Sequence, residues 1–111
     1  MSGKPIPTNA KEAMTEFLVR MSGGPPLSDP GKTQLAEAEF AYGQGLMQEG
    51  SLLRIWRLPG RRANISLYEV EDATELHDKL SHLPFWPWLD VRVIPVAQHP
   101  LDQRPARGRQ P

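Results

Sequence analysis

The spacing of apolar and polar residues changes along the chain between a two-residue period and a helical one. Four segments alternate, or carry the β-branched and aromatic residues typical of strands: residues 16–21, 52–58, 63–70 and 90–97. The first strand is followed by Ser22-Gly23-Gly24-Pro25-Pro26, which continues neither a strand nor a helix. The second and third strands are separated by a turn at Pro59-Gly60, which predicts an antiparallel hairpin.

Two segments have the period of a helix. Ser28 or Asp29 can cap the first helix, with Pro30 in its first turn, and Gly50 should end it after Glu49. The second helix should begin at a capping box formed by Asp72 and Glu75 and run to about Ser81. Each helix therefore has a start and a stop that can be compared with the structure.

The elements follow one another in the order β-α-β-β-α-β. This order predicts an α+β fold of the ferredoxin-like type, a four-stranded antiparallel sheet with two helices on one face. No element remains to cover the other face, so we expect a second subunit or a ligand there. Residues 1–14 and 101–111 have no apolar period, and we expect a disordered N-terminal extension and a flexible basic tail around a domain of residues 15–100.

One carboxylate lies on the inner side of the first predicted helix. At about 100° per residue, the apolar residues form two neighbouring stripes, Leu35, Ala38, Tyr42 and Leu46 in one and Ala36, Phe40 and Met47 in the other. Glu39 falls between them and should point toward the core. Burial raises the pKa of a carboxyl group and suits it to act as a general base. The alternative is a structural ion pair with an arginine of the sheet, which is the commoner role of an inward carboxylate in proteins generally, but the neighbouring residues of this chain shift the balance toward the base.

Several other side chains have a structural and a functional interpretation. Alternation along 52–58 places Arg54 with Trp56 on one face and Arg57 on the other, so that one arginine could pair with Glu39 and the other with a substrate carboxylate. His77 lies on the apolar side of the second helix, where a core role is common. Trp86 and Trp88, next to prolines, fit either packing or the wall of a pocket.

Composition removes several classes of function. Thirteen Lys and Arg side chains balance thirteen Asp and Glu, which gives no electrostatic basis for binding nucleic acid or membrane. There is no cysteine, and three histidines alone do not indicate a metal site. The first residues lack the apolar run of a signal peptide, so we expect a cytoplasmic protein. A 111-residue chain has a modest core, which favours a homo-oligomer.

Taken together, the residues from Phe17 to Pro100 resemble the muconolactone delta-isomerase family. The matching features are Glu39-x-x-Tyr42, Gly50, Arg54-x-Trp56-Arg57, Ala63-Asn64-x-Ser66, Glu75-Leu76-His77, Leu80-Ser81-x-Leu83-Pro84, Asp90 and His99-Pro100. The chain departs from the family pattern at Arg61-Arg62 and in the aromatic loop. The resemblance implies a ferredoxin-like subunit that assembles through dimers into ring-like decamers, with sites at subunit contacts.

The resemblance also implies an activity in the breakdown of aromatic compounds. Muconolactone becomes the 3-oxoadipate enol-lactone without a cofactor or a metal: a base removes the γ-proton, a dienolate forms, and the proton returns at the α-carbon. Glu39 matches the family's proton carrier. The residues expected to bind the substrate are Arg54, Arg57, Asn64, Ser66, Tyr42, Trp56, His77, Trp86 and Trp88.

Two alternatives remain at this point. A member of the same family could act on a different lactone or ring substrate, for example by dehalogenating a chloromuconolactone or in a specialised-metabolite pathway, and the changed aromatic loop motivates this reading. A ferredoxin-like module that binds a ligand without catalysis is the other alternative, because one fold serves many functions.

Overall fold

The protein is described by a computed structural model over residues 14–104. Its elements are β1 (Thr15–Gly23), α1 (Lys32–Glu49), β2 (Leu52–Arg57), β3 (Ala63–Val70), α2 (Ala73–Ser81) and β4 (Leu89–Val96), with a 3₁₀ turn at Trp86–Trp88 before β4. The strands form one sheet in the order β2-β3-β1-β4, and each neighbouring pair is antiparallel. The predicted ferredoxin-like α+β fold is confirmed.

The core lies between the helices and one side of the sheet, which we call the helix-facing side. Phe17, Val19 and Met21 point to this side from β1, and Tyr68 and Val70 from β3. They pack against three leucines of the helices: Leu46, Leu76 and Leu80. We call the opposite side of the sheet the open side, because neither helix covers it.

The first helix begins later than the sequence predicted. Its N-cap is Gly31, which makes no side-chain capping bond, and neither Ser28 nor Asp29 is the cap. The carboxylate of Asp29 instead accepts the Gly31 N–H at 2.7 Å, closing a turn that precedes the helix. The predicted stop is confirmed: Gly50 is the C-cap, and its N–H reaches the last turn.

The two apolar stripes predicted for α1 differ in their burial. Leu46 is buried in the core and Tyr42 packs against it, whereas Leu35 is half-buried and Ala38 is exposed, so the first stripe contacts the core through its C-terminal half. The second stripe does not, since Phe40 is 69% exposed and Met47 44% exposed. Placing that stripe in the core of a single subunit was therefore wrong. The inner side of the helix is narrower than the apolar pattern suggested.

A bulge in β2 changes the predicted faces of this strand. Leu52 pairs with Tyr68, but Arg54 pairs with Leu67, so the register shifts between Leu52 and Arg54. Leu52 consequently shares the helix-facing side with Ile55 and Arg57, whereas strict alternation had placed it with Arg54. The prediction that Arg54 and Arg57 lie on opposite sides is confirmed.

Arg104 contacts the sheet on its open side. Glu16 lies opposite Glu69 in the β1–β3 register, and Arg104 reaches Glu16 with an N···O distance of 3.8 Å. This residue of the predicted basic tail therefore contacts β1. The rest of the predicted N-terminal extension and basic tail, residues 1–13 and 105–111, lies outside the described residues.

Between residues 14 and 104 there is no helix with the length and hydropathy needed to span a membrane.

Candidate active site

Glu39 faces inward from the middle of α1, as predicted. The residue is half-buried, and its Oε1 accepts the backbone N–H of Phe85 at 2.9 Å. Within residues 14–104 no arginine, lysine or histidine forms an ion pair with this carboxylate, and no N–H donates to Oε2. The structural ion pair considered for Glu39 is therefore absent from the described part of the chain.

The surroundings of Glu39 change its protonation. Partial burial raises the pKa of the Glu39 carboxyl group above its ordinary value of 4.5, and the hydrogen bond from Phe85 opposes that rise only in part. No neighbouring cation draws the pKa back down. A carboxylate with a raised pKa and one oxygen without a donor is suited to accept a proton from carbon.

Strand β3 contributes polar groups to the helix-facing side of the sheet. The amide oxygen of Asn64 is buried and accepts no hydrogen bond from any described residue. Ser66 is fully buried, and its hydroxyl donates to the Val19 carbonyl at 3.3 Å. Of the two predicted substrate-binding residues on this strand, Asn64 is the one whose oxygen lacks a described donor.

The two predicted arginines occupy opposite sides of the sheet. Arg54 lies on the open side with its guanidinium 5.6 Å from the centre of the Trp56 ring, a cation–π contact. Arg57 lies opposite Asn64 on the helix-facing side and is exposed. The fold thus places Arg57 on the side of the sheet that faces α1 and Glu39, and it places Arg54 and Trp56 on the open side.

Tyr42 connects the two helices. Its hydroxyl donates to the Lys79 carbonyl at 2.7 Å, and the Lys79 ammonium lies 2.7 Å from the Glu49 carboxylate at the end of α1. A cleft of about 310 Å³ opens beside these contacts and includes Gly45 and His82. Of the predicted site residues, Tyr42 lines this cleft and the others, Glu39 among them, do not.

The two tryptophans of the aromatic loop differ in burial, and their role as a pocket wall stays a prediction. Trp86 packs against the core, while Trp88 is 37% exposed. His77, expected on the apolar side of α2, is exposed instead. Its ring meets the ring of Trp86 edge-on at 5.9 Å. The inner side of α2 is formed by Leu76 and Leu80, so placing His77 beside them was wrong.

Three groups near Glu39 were not predicted. Phe85 acts through its backbone N–H, which no side-chain pattern indicates. Tyr68 is 1% exposed, and burial, with Tyr42 and Glu39 nearby, raises the pKa of its phenol; its alternation with Ser66 along β3 was the available signal. Arg62 was noted only as a departure from the family, and its guanidinium donates to the Pro25 carbonyl at 2.9 Å.

Comparison with known proteins gives one consistent family. A family model described as muconolactone delta-isomerase matches residues 15–102. The muconolactone Delta-isomerase of Acinetobacter baylyi is 38% identical over 90 residues, which cover 79% of this chain and 94% of that protein. The enzyme of the same name from Rhodococcus opacus is 36% identical over 91 residues, covering 80% and 98% of the two chains.

The solved structures agree with the sequence relatives. A crystal structure of muconolactone isomerase has a TM-score of 0.75 to this chain at 35% identity, covering 85% of this chain and 99% of that one. The resemblance predicted from the residues is thereby confirmed. The chain belongs to the muconolactone delta-isomerase family.

Proposed function

We propose that this chain is an isomerase that converts muconolactone to the 3-oxoadipate enol-lactone, with Glu39 as the proton carrier. Family membership supports the reaction, because the relatives at 36–38% identity are named for it. The observation that carries the assignment of the base is the half-buried Glu39 carboxylate, without a described cation beside it and with Oε2 free of described donors.

The reaction needs one group that can both take and return a proton. In the proposed step Oε2 of Glu39 removes the γ-proton of the lactone, and the electron pair of that C–H bond moves into the ring to form a dienolate. The carboxylic acid so formed then delivers the same proton to the α-carbon. Glu39 ends the cycle ionised, and no electron is gained or lost overall.

Phe85 supports this cycle by orienting the base. Its N–H holds Oε1 at 2.9 Å, so that the carboxylate cannot rotate freely and Oε2 keeps one direction. A fixed direction lowers the entropy that must be lost when the substrate reaches the base. The same bond stabilises the ionised form and so opposes part of the rise in the pKa of Glu39.

The negative charge that develops on the lactone carbonyl needs hydrogen-bond donors or a cation. The side-chain NH₂ group of Asn64 is our candidate donor, since Asn64 lies on the helix-facing side of the sheet. Arg57, opposite Asn64 in the sheet, adds positive charge on the same side. Ser66 is less suited, because its hydroxyl already donates to a carbonyl of β1.

The proposal also covers the need for a cofactor, the location of the protein and its assembly. The proton transfer uses a side chain of the protein, so we propose that it needs no cofactor. The absence of cysteine is compatible with the cytoplasm, where the breakdown of aromatic compounds takes place. Exposed apolar residues on the open side of the sheet, Trp56 and Ile94 among them, support a homo-oligomer.

The proposed reaction can be tested with the purified full-length protein after dialysis against a chelator. We expect muconolactone to be consumed, as followed by ultraviolet absorbance, and the enol-lactone to be identified by proton NMR. A rate no greater than that without protein would contradict the proposal. Faster turnover of a chlorinated muconolactone, with release of chloride, would instead assign the chain to another substrate of the same site.

A further inference from the structure

Arg62 is held in place at the end of the sheet by two hydrogen bonds. The residue belongs to the loop between β2 and β3, and its carbonyl accepts the N–H of Gly23 at 2.8 Å. Its guanidinium crosses to the loop after β1 and donates from Nη2 to the Pro25 carbonyl at 2.9 Å. Pro25 is itself fully buried, so the anchor is fixed. The side chain is therefore oriented before any ligand binds.

Gly24 makes this position of the guanidinium possible. Its φ of +151° disfavours other residues, and a Cβ at this position would lie 2.5 Å from Nη2 of Arg62. A side chain on residue 24 would therefore displace the guanidinium. The backbone of the first loop is shaped so that an arginine can lie across it.

Phe85 connects this cation to the base. A Cβ on residue 24 would lie 3.2 Å from Cζ of Arg62 and 3.4 Å from Cδ2 of Phe85, so the guanidinium and the phenyl ring are both neighbours of Gly24. Phe85 donates its backbone N–H to Glu39. The guanidinium and the carboxylate thus flank a single residue, yet they form no ion pair with one another within the described chain. A substrate could contact both.

The free donors of Arg62 match a carboxylate. A guanidinium has five N–H donors in a planar fork, and the Pro25 carbonyl is the one acceptor that Arg62 contacts among the described residues. Arg54 lies on the open side with Trp56. Arg57 is on the helix-facing side, but no described residue accepts a hydrogen bond from its guanidinium. Arg62 is the arginine that combines an anchor with a connection to the base.

We propose that Arg62 binds the carboxylate of the lactone substrate and selects lactones that carry an acid group. The inference rests on the proposed function and extends it to a specificity-determining residue. In muconolactone the carboxylate is joined through one methylene to the γ-carbon that loses its proton. Arg62 and Glu39 both have Phe85 as a neighbour and are not paired with one another in the described chain, so a lactone whose γ-carbon lies at Oε2 could direct its carboxylate to the guanidinium.

The test compares two ligands across wild type and five variants. Steady-state kinetics are measured with muconolactone and with the γ-methyl butenolide that lacks the carboxylate, for wild type, Arg62→Gln and Arg57→Gln. Arg61→Gln is the matched control, since it removes an exposed arginine from the same loop. Calorimetric binding of muconolactone is measured in parallel on Glu39→Gln with and without Arg62→Gln, so that affinity is known even without turnover.

For Arg62→Gln we expect KM and Kd for muconolactone to rise roughly 10- to 100-fold, the effect of losing a charge-assisted contact. The ratio of kcat/KM for the two lactones should fall by the same factor, and Arg61→Gln should leave it within about twofold. An equal loss on both lactones would show that Arg62 only holds the loop, and would overturn the proposal. So would an acid-selective loss in Arg57→Gln alone. If no protein isomerises muconolactone, the reaction is wrong, and the binding data still decide the role of Arg62.

Discussion

At the scale of single residues, the chemistry depends on how Glu39 is kept both ionisable and basic. A carboxylate fully paired with an arginine would be a weak base, because the cation would lower its pKa. A fully buried one without donors would stay protonated. Glu39 lies between these limits: burial raises its pKa, and one N–H from Phe85 moderates the rise. The pKa of Glu39 is thus determined by its partial burial and by one peptide N–H.

The pH dependence of the reaction follows from the direction of that shift. Because Glu39 must be ionised to accept a proton and its pKa is raised, kcat/KM should increase with pH through an ionisation above 4.5. The measurement is the initial rate at low substrate across the acidic range. Glu37→Gln, on the exposed side of α1, should show the same profile. An acidic limb centred at or below 4.5 would contradict the assignment.

At the scale of the elements, the sequence predicted what is encoded locally. Gly50 at the end of α1 and Asp72 as the N-cap of α2 are confirmed, because each rests on a hydrogen bond with the backbone within a few residues. The predicted capping box is only half formed, since the Glu75 carboxylate accepts the N–H of Glu71 and not that of Asp72. The bulge in β2 was not predictable, since the residues from Leu52 to Arg57 alternate acceptably in either register. Which of two apolar stripes of α1 meets the sheet is also decided by tertiary packing and not by period.

The helix stop gives a prediction at this scale. Gly50 has a φ of +88°, and its N–H bonds to the carbonyls of Leu46 and Met47. Gly50→Ala should lower the free energy of unfolding by about 1–2 kcal/mol, because a Cβ is strained in this region. Chemical denaturation at fixed protein concentration measures it.

Gly45→Ala is the matched control for that variant, since Gly45 lies inside the helix and a Cβ there would contact nothing within 4 Å. We expect this control to stabilise the protein by about 0.5–1 kcal/mol. Equal stability of Gly50→Ala and wild type would show that the left-handed cap does not contribute.

At the scale of the whole molecule, two apolar surfaces are left without a partner inside the described chain. One is the open side of the sheet, where Trp56 is 43% and Ile94 51% exposed. The other is the outer stripe of α1, with Phe40 69% exposed. The described residues of the site, by contrast, come from α1, the Phe85 loop and the end of the sheet. The sequence could not predict which apolar residues form subunit contacts, because an apolar residue that is exposed in one subunit and an apolar residue that is buried in its core have the same place in the pattern.

The assembly can be measured by light scattering after gel filtration. We expect a mass that is a multiple of the 12.5 kDa subunit, because burying two apolar surfaces of this kind favours association. Ile94→Glu should lower the mass by placing a charge in the contact across the open side, while Gln48→Glu, on the exposed side of α1, should not. A wild-type mass of one subunit would contradict the prediction.

The central claim is that Glu39 carries the proton, and the kinetics of Glu39→Gln test it most directly. Glutamine keeps the acceptor for the Phe85 N–H but cannot take a proton, so we predict a loss in kcat on the order of 10²- to 10⁴-fold. Removing a carboxylate whose pKa is raised in the folded state should also leave the protein at least as stable at neutral pH, with that gain vanishing below 4.5. Glu37→Gln serves as the control with unchanged kcat. Full activity in a folded Glu39→Gln protein would contradict the account.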